Sequence, residues 1–159
     1  MKPIYKKLLI GGGAALVYSS IVGFKKFEKT KAIFEEMDIE PHAFSKLKID
    51  FDNKRISFNL DVLLRNNTDD DLFVTGSAFA VLKEIDIFYK NNYMATAQVN
   101  INEISIPAEN QLIVRNIPVM VHAVNLLQNA TVFMNFNLND LGIVGVVEAF
   151  GTTYRIGEE

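Results

Sequence analysis

The chemistry open to this chain rests on few side chains. It has two histidines, His42 and His122, and no cysteine, so disulfides, thiolate metal sites and cysteine nucleophiles are excluded. His42 follows Pro41, and His122 continues the stretch that holds Pro118. Neither has a second ligand or an acid–base partner at the spacing that zinc or proton transfer requires. Both therefore read as structural or surface residues. The densest acidic cluster is Asp69-Asp70-Asp71. Calcium takes several oxygen ligands from a flexible loop, but three consecutive aspartates diverge and the loop holds no further positioned acid. A solvated turn is the expectation.

Gly11-Gly12-Gly13 lacks the Lys-Ser/Thr that completes a phosphate loop, and no Gly-x-Ser-x-Gly elbow occurs. Asn66-Asn67-Thr68 and Asn129-Ala130-Thr131 match the N-glycosylation pattern, in a chain with fifteen asparagines. Phe88, Tyr89 and Tyr93 flank one turn and could form an aromatic contact surface, although such residues more often bury against neighbouring strands. No catalytic residue, metal or cofactor is expected, and the chain does not read as an enzyme.

The element with the clearest physical meaning is an uncharged run, residues 8–24, bounded by Lys2, Lys6 and Lys7 before it and by Lys25 and Lys26 after it. A spanning helix needs roughly 20 apolar residues, about 17 at the short end, and snorkelling lysines extend its reach. A cleaved secretory signal is the alternative, but the best small-x-small site, Val17-Tyr18-Ser19, is weak. The expectation is an uncleaved, single-pass anchor at residues 1–26, its side of the membrane left open by lysines on both flanks. Lys6, Lys7, Lys25 and Lys26 would meet lipid head groups. Gly11, Ala15, Ser19 and Gly23 recur every four residues, a small-residue stripe that would let another helix approach and form an oligomer.

Charge divides the chain the same way. The net charge is −3. Residues 1–31 hold seven lysines and one glutamate, whereas residues 32–159 hold nine basic and eighteen acidic residues. An acidic body argues against nucleic acid, which requires a basic face. Residues 24–40 show helical spacing of Phe24, Phe27, Phe34 and Met37, and Pro41 would stop that pattern. This defines a stalk or linker over residues 27–44.

Beyond it the period becomes two. Leu47, Ile49 and Phe51 alternate before a turn at Asp52-Asn53-Lys54. Ile56, Phe58, Leu60, Val62 and Leu64 form a longer strand. Further strands are expected over residues 72–82, with a bulge at Gly76, and over 85–89 and 93–101 around a hairpin at Lys90-Asn91-Asn92. Ile104 and Ile106 lead to Pro107, and residues 111–121 carry Pro118, which confines that strand to an edge or a bulge. Residues 124–129 could form a helical turn, 131–138 a strand, and 143–150 with 153–156 a closing hairpin around Gly151. Seven to nine short strands over residues 45–159 indicate an all-β, antiparallel β-sandwich.

The order of these strands resembles the late embryogenesis abundant type 2 family, which carries the water-stress and hypersensitive-response domain. The stretch from Ile56 through Leu64, Arg65, Asn66 and Asn67 is similar to its alternating strand followed by Asn-Pro-Asn, with Asn67 at the proline position. Ile85-Asp86-Ile87-Phe88-Tyr89-Lys90-Asn91 is similar to its hairpin. Ile104-Ser105-Ile106-Pro107 and Ile117-Pro118-Val119 are similar to its proline-bearing strands, and Val144-Gly145-Val146 to its late strand. The resemblance implies a fibronectin-III-like sandwich behind one N-terminal membrane helix, and no catalytic residue.

The expected function is a non-catalytic, membrane-anchored structural or adaptor protein. Its partners would be the lipid bilayer and other membrane or assembly subunits, as in a lipid-containing virion or an envelope complex, with no nucleic acid. The alternative is a stress-protective or lipid-binding module of the kind the resemblance implies.

Overall fold

The computed structural model describes residues 27–75, 80–122 and 137–157. The chain divides into two compact units, Met1–Ala32 and Ile33–Glu159. Residues 27–35 are helical, and the chain turns extended at β1 (Asp38–Asp50). The helical pattern therefore ends before Pro41, and β1 includes Pro41 and His42, which the sequence places in the linker. An edge strand tolerates a proline, and β1 has only β2 beside it. A register shift between Pro41 and Ala43 takes up the irregularity.

Eight further strands follow: β2 (Arg55–Arg65), β3 (Leu72–Thr75), β4 (Ala80–Tyr89), β5 (Asn92–Ile101), β6 (Glu103–Ile106), β7 (Gln111–His122), β8 (Leu141–Ala149) and β9 (Thr152–Ile156). They form a three-stranded sheet in the order β1-β2-β7, a four-stranded sheet in the order β5-β4-β8-β9, and a two-stranded ribbon of β3 and β6. Every pairing is antiparallel. The body is all-β, as expected.

Alternation decides which face is buried. Ile56, Phe58, Leu60 and Val62 on β2 share a face with Val121, Val119 and Ile117 across the β2–β7 register. On the other sheet Leu82, Ile85 and Ile87 of β4 lie level with Val147, Gly145 and Ile143 of β8. All of these side chains belong to one buried cluster, which also takes in Ile33, Phe34, Met37 and Ile39. Each fully buried aliphatic side chain contributes roughly 1.5–3 kcal/mol. The Phe34 ring stacks on Tyr154 of β9, 5.9 Å between centroids, so this apolar core begins twelve residues before the expected start of the sandwich.

The β1–β2 turn closes through Asp50, whose carboxylate accepts from the Asn53 backbone N–H at 3.0 Å and its side-chain amide at 2.8 Å. These bonds, the side-chain one foremost, hold the Asp50 carboxyl below the usual carboxylate value, with help from the charge on Arg55. In the β4–β5 hairpin Lys90 and Asn91 have φ of 48° and 64°, the doubly left-handed geometry that matches strand twist. Pro118 of β7 sits opposite Asn59 of β2, and β7 pairs within its sheet with β2 alone, so the expected edge position is observed.

One expected strand is two. Residues 72–82 divide into β3, in the ribbon with β6, and β4, in the four-stranded sheet. The alternation reads through the break because Leu72 and Val74 in one piece and Ala80 and Leu82 in the other, all at even positions, are buried, although Val81 is buried as well. Gly76, the expected bulge, lies outside the described residues. So do the helical turn at 124–129 and most of the strand at 131–138; Leu138 instead opens a 3-10 turn, Leu138–Asp140.

β1 approaches β8 and β9 through Ile39. A Cβ at Gly145 would lie 2.9 Å from Ile39 Cδ1, and one at Gly157 would lie 2.6 Å from Ile39 Cγ2 and 3.0 Å from the Ile143 carbonyl. Gly157 also has φ of +83°, where a side chain is strained. Gly157→Ala is expected to cost about 1–3 kcal/mol, read as a melting temperature several degrees lower. An unchanged melting temperature would show that Ile39 and the last strand are not held against each other.

Candidate functional site

The eight residues marked for membrane contact, Gly11, Ala15, Ser19, Gly23, Lys6, Lys7, Lys25 and Lys26, lie outside the described residues. Among the described residues no helix is long and apolar enough to cross a membrane. His42 and His122 are both exposed, on β1 and β7, with β2 between those strands. Among the described residues no group of three or more His, Cys, Asp or Glu is placed to hold a metal ion. In the Asp69-Asp70-Asp71 loop the Asp71 carboxylate accepts the Ala108 N–H at 2.8 Å, and the Asp70 carbonyl accepts from Asn66. The acidic loop is tied into the turn after β6.

The organising residue there is Asn66, which is completely buried. Its amide donates to the carbonyls of Asp70 at 2.8 Å and of Ile106 and Pro107 at 3.2 Å. Its side-chain oxygen accepts from the Thr68 hydroxyl at 2.8 Å and the Thr68 N–H at 3.1 Å. Its backbone N–H donates to the Asn110 carbonyl. A buried amide is tolerated only when its donors and acceptors are filled, and here they are. That burial removes Asn66 as a glycan acceptor in the folded protein, although the tripeptide matches. Asn129 of the second match lies outside the described residues. The sequence signal for Asn66 was present in the run of turn formers at 66–71, but not its depth.

Asn67 extends the same network. Its amide donates to the Asp38 carboxylate at 2.7 Å and the Glu36 carbonyl at 3.1 Å, fixing the chain just ahead of β1. Beside that segment lies an open groove of about 820 Å³. Its rim carries Glu35, Glu36, Asp38 and Glu40, opposed by Arg155, and its floor is apolar at Met37 and Ile156. Arg155 pairs with Asp86 at 3.2 Å. The arrangement suits a cationic, partly apolar segment, since clustered carboxylates attract positive charge. The groove is a surface that the sequence does not reveal, because its acids come from the stretch that reads as a stalk.

The aromatic residues flanking the β4–β5 turn divide between core and surface. Tyr89 is buried, with its hydroxyl 3.3 Å from the Asp140 carboxylate. Tyr93 is exposed and meets Phe88 edge-on, 6.0 Å between centroids. A shared aromatic contact surface does not form from all three.

No protein-family model and no curated protein matches the chain. Among solved structures, a protein from Archaeoglobus fulgidus is similar over 73% of this chain and 89% of its own, at 10% identity and a TM-score of 0.37.

Asn66 gives the sharpest mutational test of this region. Asn66→Ala leaves buried carbonyls without a donor and is expected to cost about 2–4 kcal/mol in chemical denaturation. Asn66→Asp should cost more, because a carboxylate would face three carbonyl oxygens. An alanine variant within about 0.5 kcal/mol of the parent would contradict the network.

Proposed function

We propose that this chain is a non-catalytic, membrane-anchored structural or adaptor protein, held in the bilayer by residues 8–24 and presenting an acidic, fibronectin-III-like sandwich to other subunits of a membrane assembly. The observation that carries the reading is the two-part division of charge and hydropathy. A basic, uncharged-centred segment precedes a body whose residues 32–159 carry twice as many acids as bases. The break between compact units falls beside this charge boundary, at Ala32 and Ile33. Lys6, Lys7, Lys25 and Lys26 would lie at the head groups, and Gly11, Ala15, Ser19 and Gly23 would form a helix-packing stripe.

The strand orders β1-β2-β7 and β5-β4-β8-β9 support the fibronectin-III-like description, with the ribbon formed by β3, between β2 and β4, and β6, between β5 and β7. The resemblance to the late embryogenesis abundant type 2 family is carried by the sequence motifs alone. Within that resemblance the burial of Asn66 supplies a physical reason for an asparagine at the end of the second strand. The groove at Glu35, Glu36, Asp38 and Glu40 is the surface we assign to a subunit with a basic segment. A lipid-containing virion or an envelope complex is an assembly of the required kind. The family-type alternative, a lipid held between the sheets, draws less support. Leu60, Leu82, Ile85 and Ile87 fill the space between the inner faces and are fully buried.

Crosslinking of the full chain in its native membrane tests the proposal. A discrete crosslinked partner is expected, and Gly11→Leu with Ala15→Leu should remove the part of that association that runs through the helix. A chain that crosslinks to nothing and leaves detergent as a lone monomer would contradict it.

A further inference from the structure

Nine basic residues belong to the body, residues 33–157. Five are ion-paired: Arg65 with Glu40, Lys83 with Glu148, Lys90 with Asp140, Arg115 with Asp61 and Arg155 with Asp86. The remaining four, Lys46, Lys48, Lys54 and Arg55, all lie on the β1–β2 hairpin. Among the described residues, Lys46, Lys48 and Lys54 make no ion pair. In a body with sixteen acids against nine bases, three unpaired lysines gathered on one hairpin stand out. Elsewhere each base has found a carboxylate.

The same hairpin groups several exposed large apolar side chains, while Phe73 on β3 and Tyr93 on β5 are exposed elsewhere. Phe51, in the turn, is 83% exposed, and Leu47, Ile49 and Met120 of the adjoining strands are each about half exposed, at 45%, 49% and 47%. The register shift between Ser45 and Lys48 inserts extra chain into β1 at Lys46 and Leu47, and Lys46 takes φ of 55°. Lys48 lies level with Ser57 and Met120 across the three strands. A depression of about 400 Å³ there is lined by Lys46, Lys48, Ser57, Asn59, Pro118 and Met120. The result is an exposed turn with an apolar tip, lysines at positions 46, 48 and 54, and a largely apolar recess beside it.

We propose that the β1–β2 hairpin is a second membrane contact, in which Phe51 enters the head-group layer of an anionic bilayer and Lys46, Lys48 and Lys54 meet its phosphates. Charge complementarity selects the occupant: unpaired cations on an acidic body need an external anion, and an apolar tip needs a medium that accepts it. A protein partner would require about 800 Å² of complementary surface on each side, which an exposed turn does not offer. Nucleic acid would supply phosphates but no apolar layer to receive Phe51 and Ile49, which are exposed at the turn. The proposal is separate from the N-terminal anchor, because it rests on residues 46–55 and Met120 alone.

The chain has no tryptophan, so Phe51→Trp at this exposed position makes the tip its own reporter. The full chain, loaded in phosphatidylcholine nanodiscs, is mixed with vesicles of phosphatidylcholine alone or with about one-third phosphatidylserine. Loading reports on the anchor separately, and a chain that does not load is tested in solution with the same vesicles. The expected result is a blue shift of emission and co-sedimentation with the anionic vesicles only. Each lysine neutralised by glutamine among Lys46, Lys48 and Lys54 should weaken binding about fivefold. Phe51→Ser should abolish it, and Lys83→Gln should leave it unchanged. The proposal is overturned by an unshifted emission, by equal shifts on both vesicle types, or by a lysine triple variant that binds like the parent. It is equally overturned if those substitutions remove binding of a single-stranded oligonucleotide and spare the vesicles.

Discussion

The constraint on which the body depends is the burial of alternate side chains on β2 and β4, the strands that sit inside their sheets. β2 lies between β1 and β7, and β4 between β5 and β8. Each has a neighbour on both sides, so a one-residue slip in either would turn its apolar face outward and break two ladders at once. Leu60, Val62, Leu82, Ile85 and Ile87 are all completely buried. Everything polar in the body is arranged around that decision. Asp61, between two of these residues, faces the other way, where it pairs with Arg115 and accepts the Asn116 N–H.

The chain must still connect its sheets, and Asn66 is where it does so. It follows the last residue of β2 and bonds the backbone on both sides of the β3–β6 ribbon. Three carbonyls that a loop would otherwise present to solvent are thereby satisfied inside the protein. Asn67 passes the tie on to Asp38 and Glu36. The two adjacent asparagines thus join the ribbon to the entry of β1, and the acidic groove lies beside that junction.

Strand existence is legible where period-two alternation is strong, as in residues 56–64, and turns are legible where asparagine or glycine permits left-handed backbone, as at Asn91 and Gly151. The edge position of β7 follows from Pro118 for the same local reason. Two features are not local. The split between β3 and β4 leaves no mark in the alternation, since each piece keeps its own buried set. The start of β1 at Asp38 is hidden by Ile33, Phe34 and Met37, which are spaced like a helix face and pack into the core all the same. The depth of Asn66 and the grouping of unpaired lysines are visible only once partners are known, because a sequence shows charges without showing which of them are neutralised.

The proposed function divides labour between an N-terminal segment assigned to lipid and an acidic body assigned to partner subunits. The direct measurement is protease release: a cleavage site placed between residues 26 and 33 of the full chain, reconstituted in phosphatidylcholine vesicles and cut after sedimentation. The account predicts that the chain sediments before cleavage. Afterwards the body should leave in the supernatant and melt in one cooperative transition, while the N-terminal piece stays in the pellet. A chain that floats free before cleavage, or a body that remains on neutral vesicles or loses its cooperative melt after it, would contradict the division.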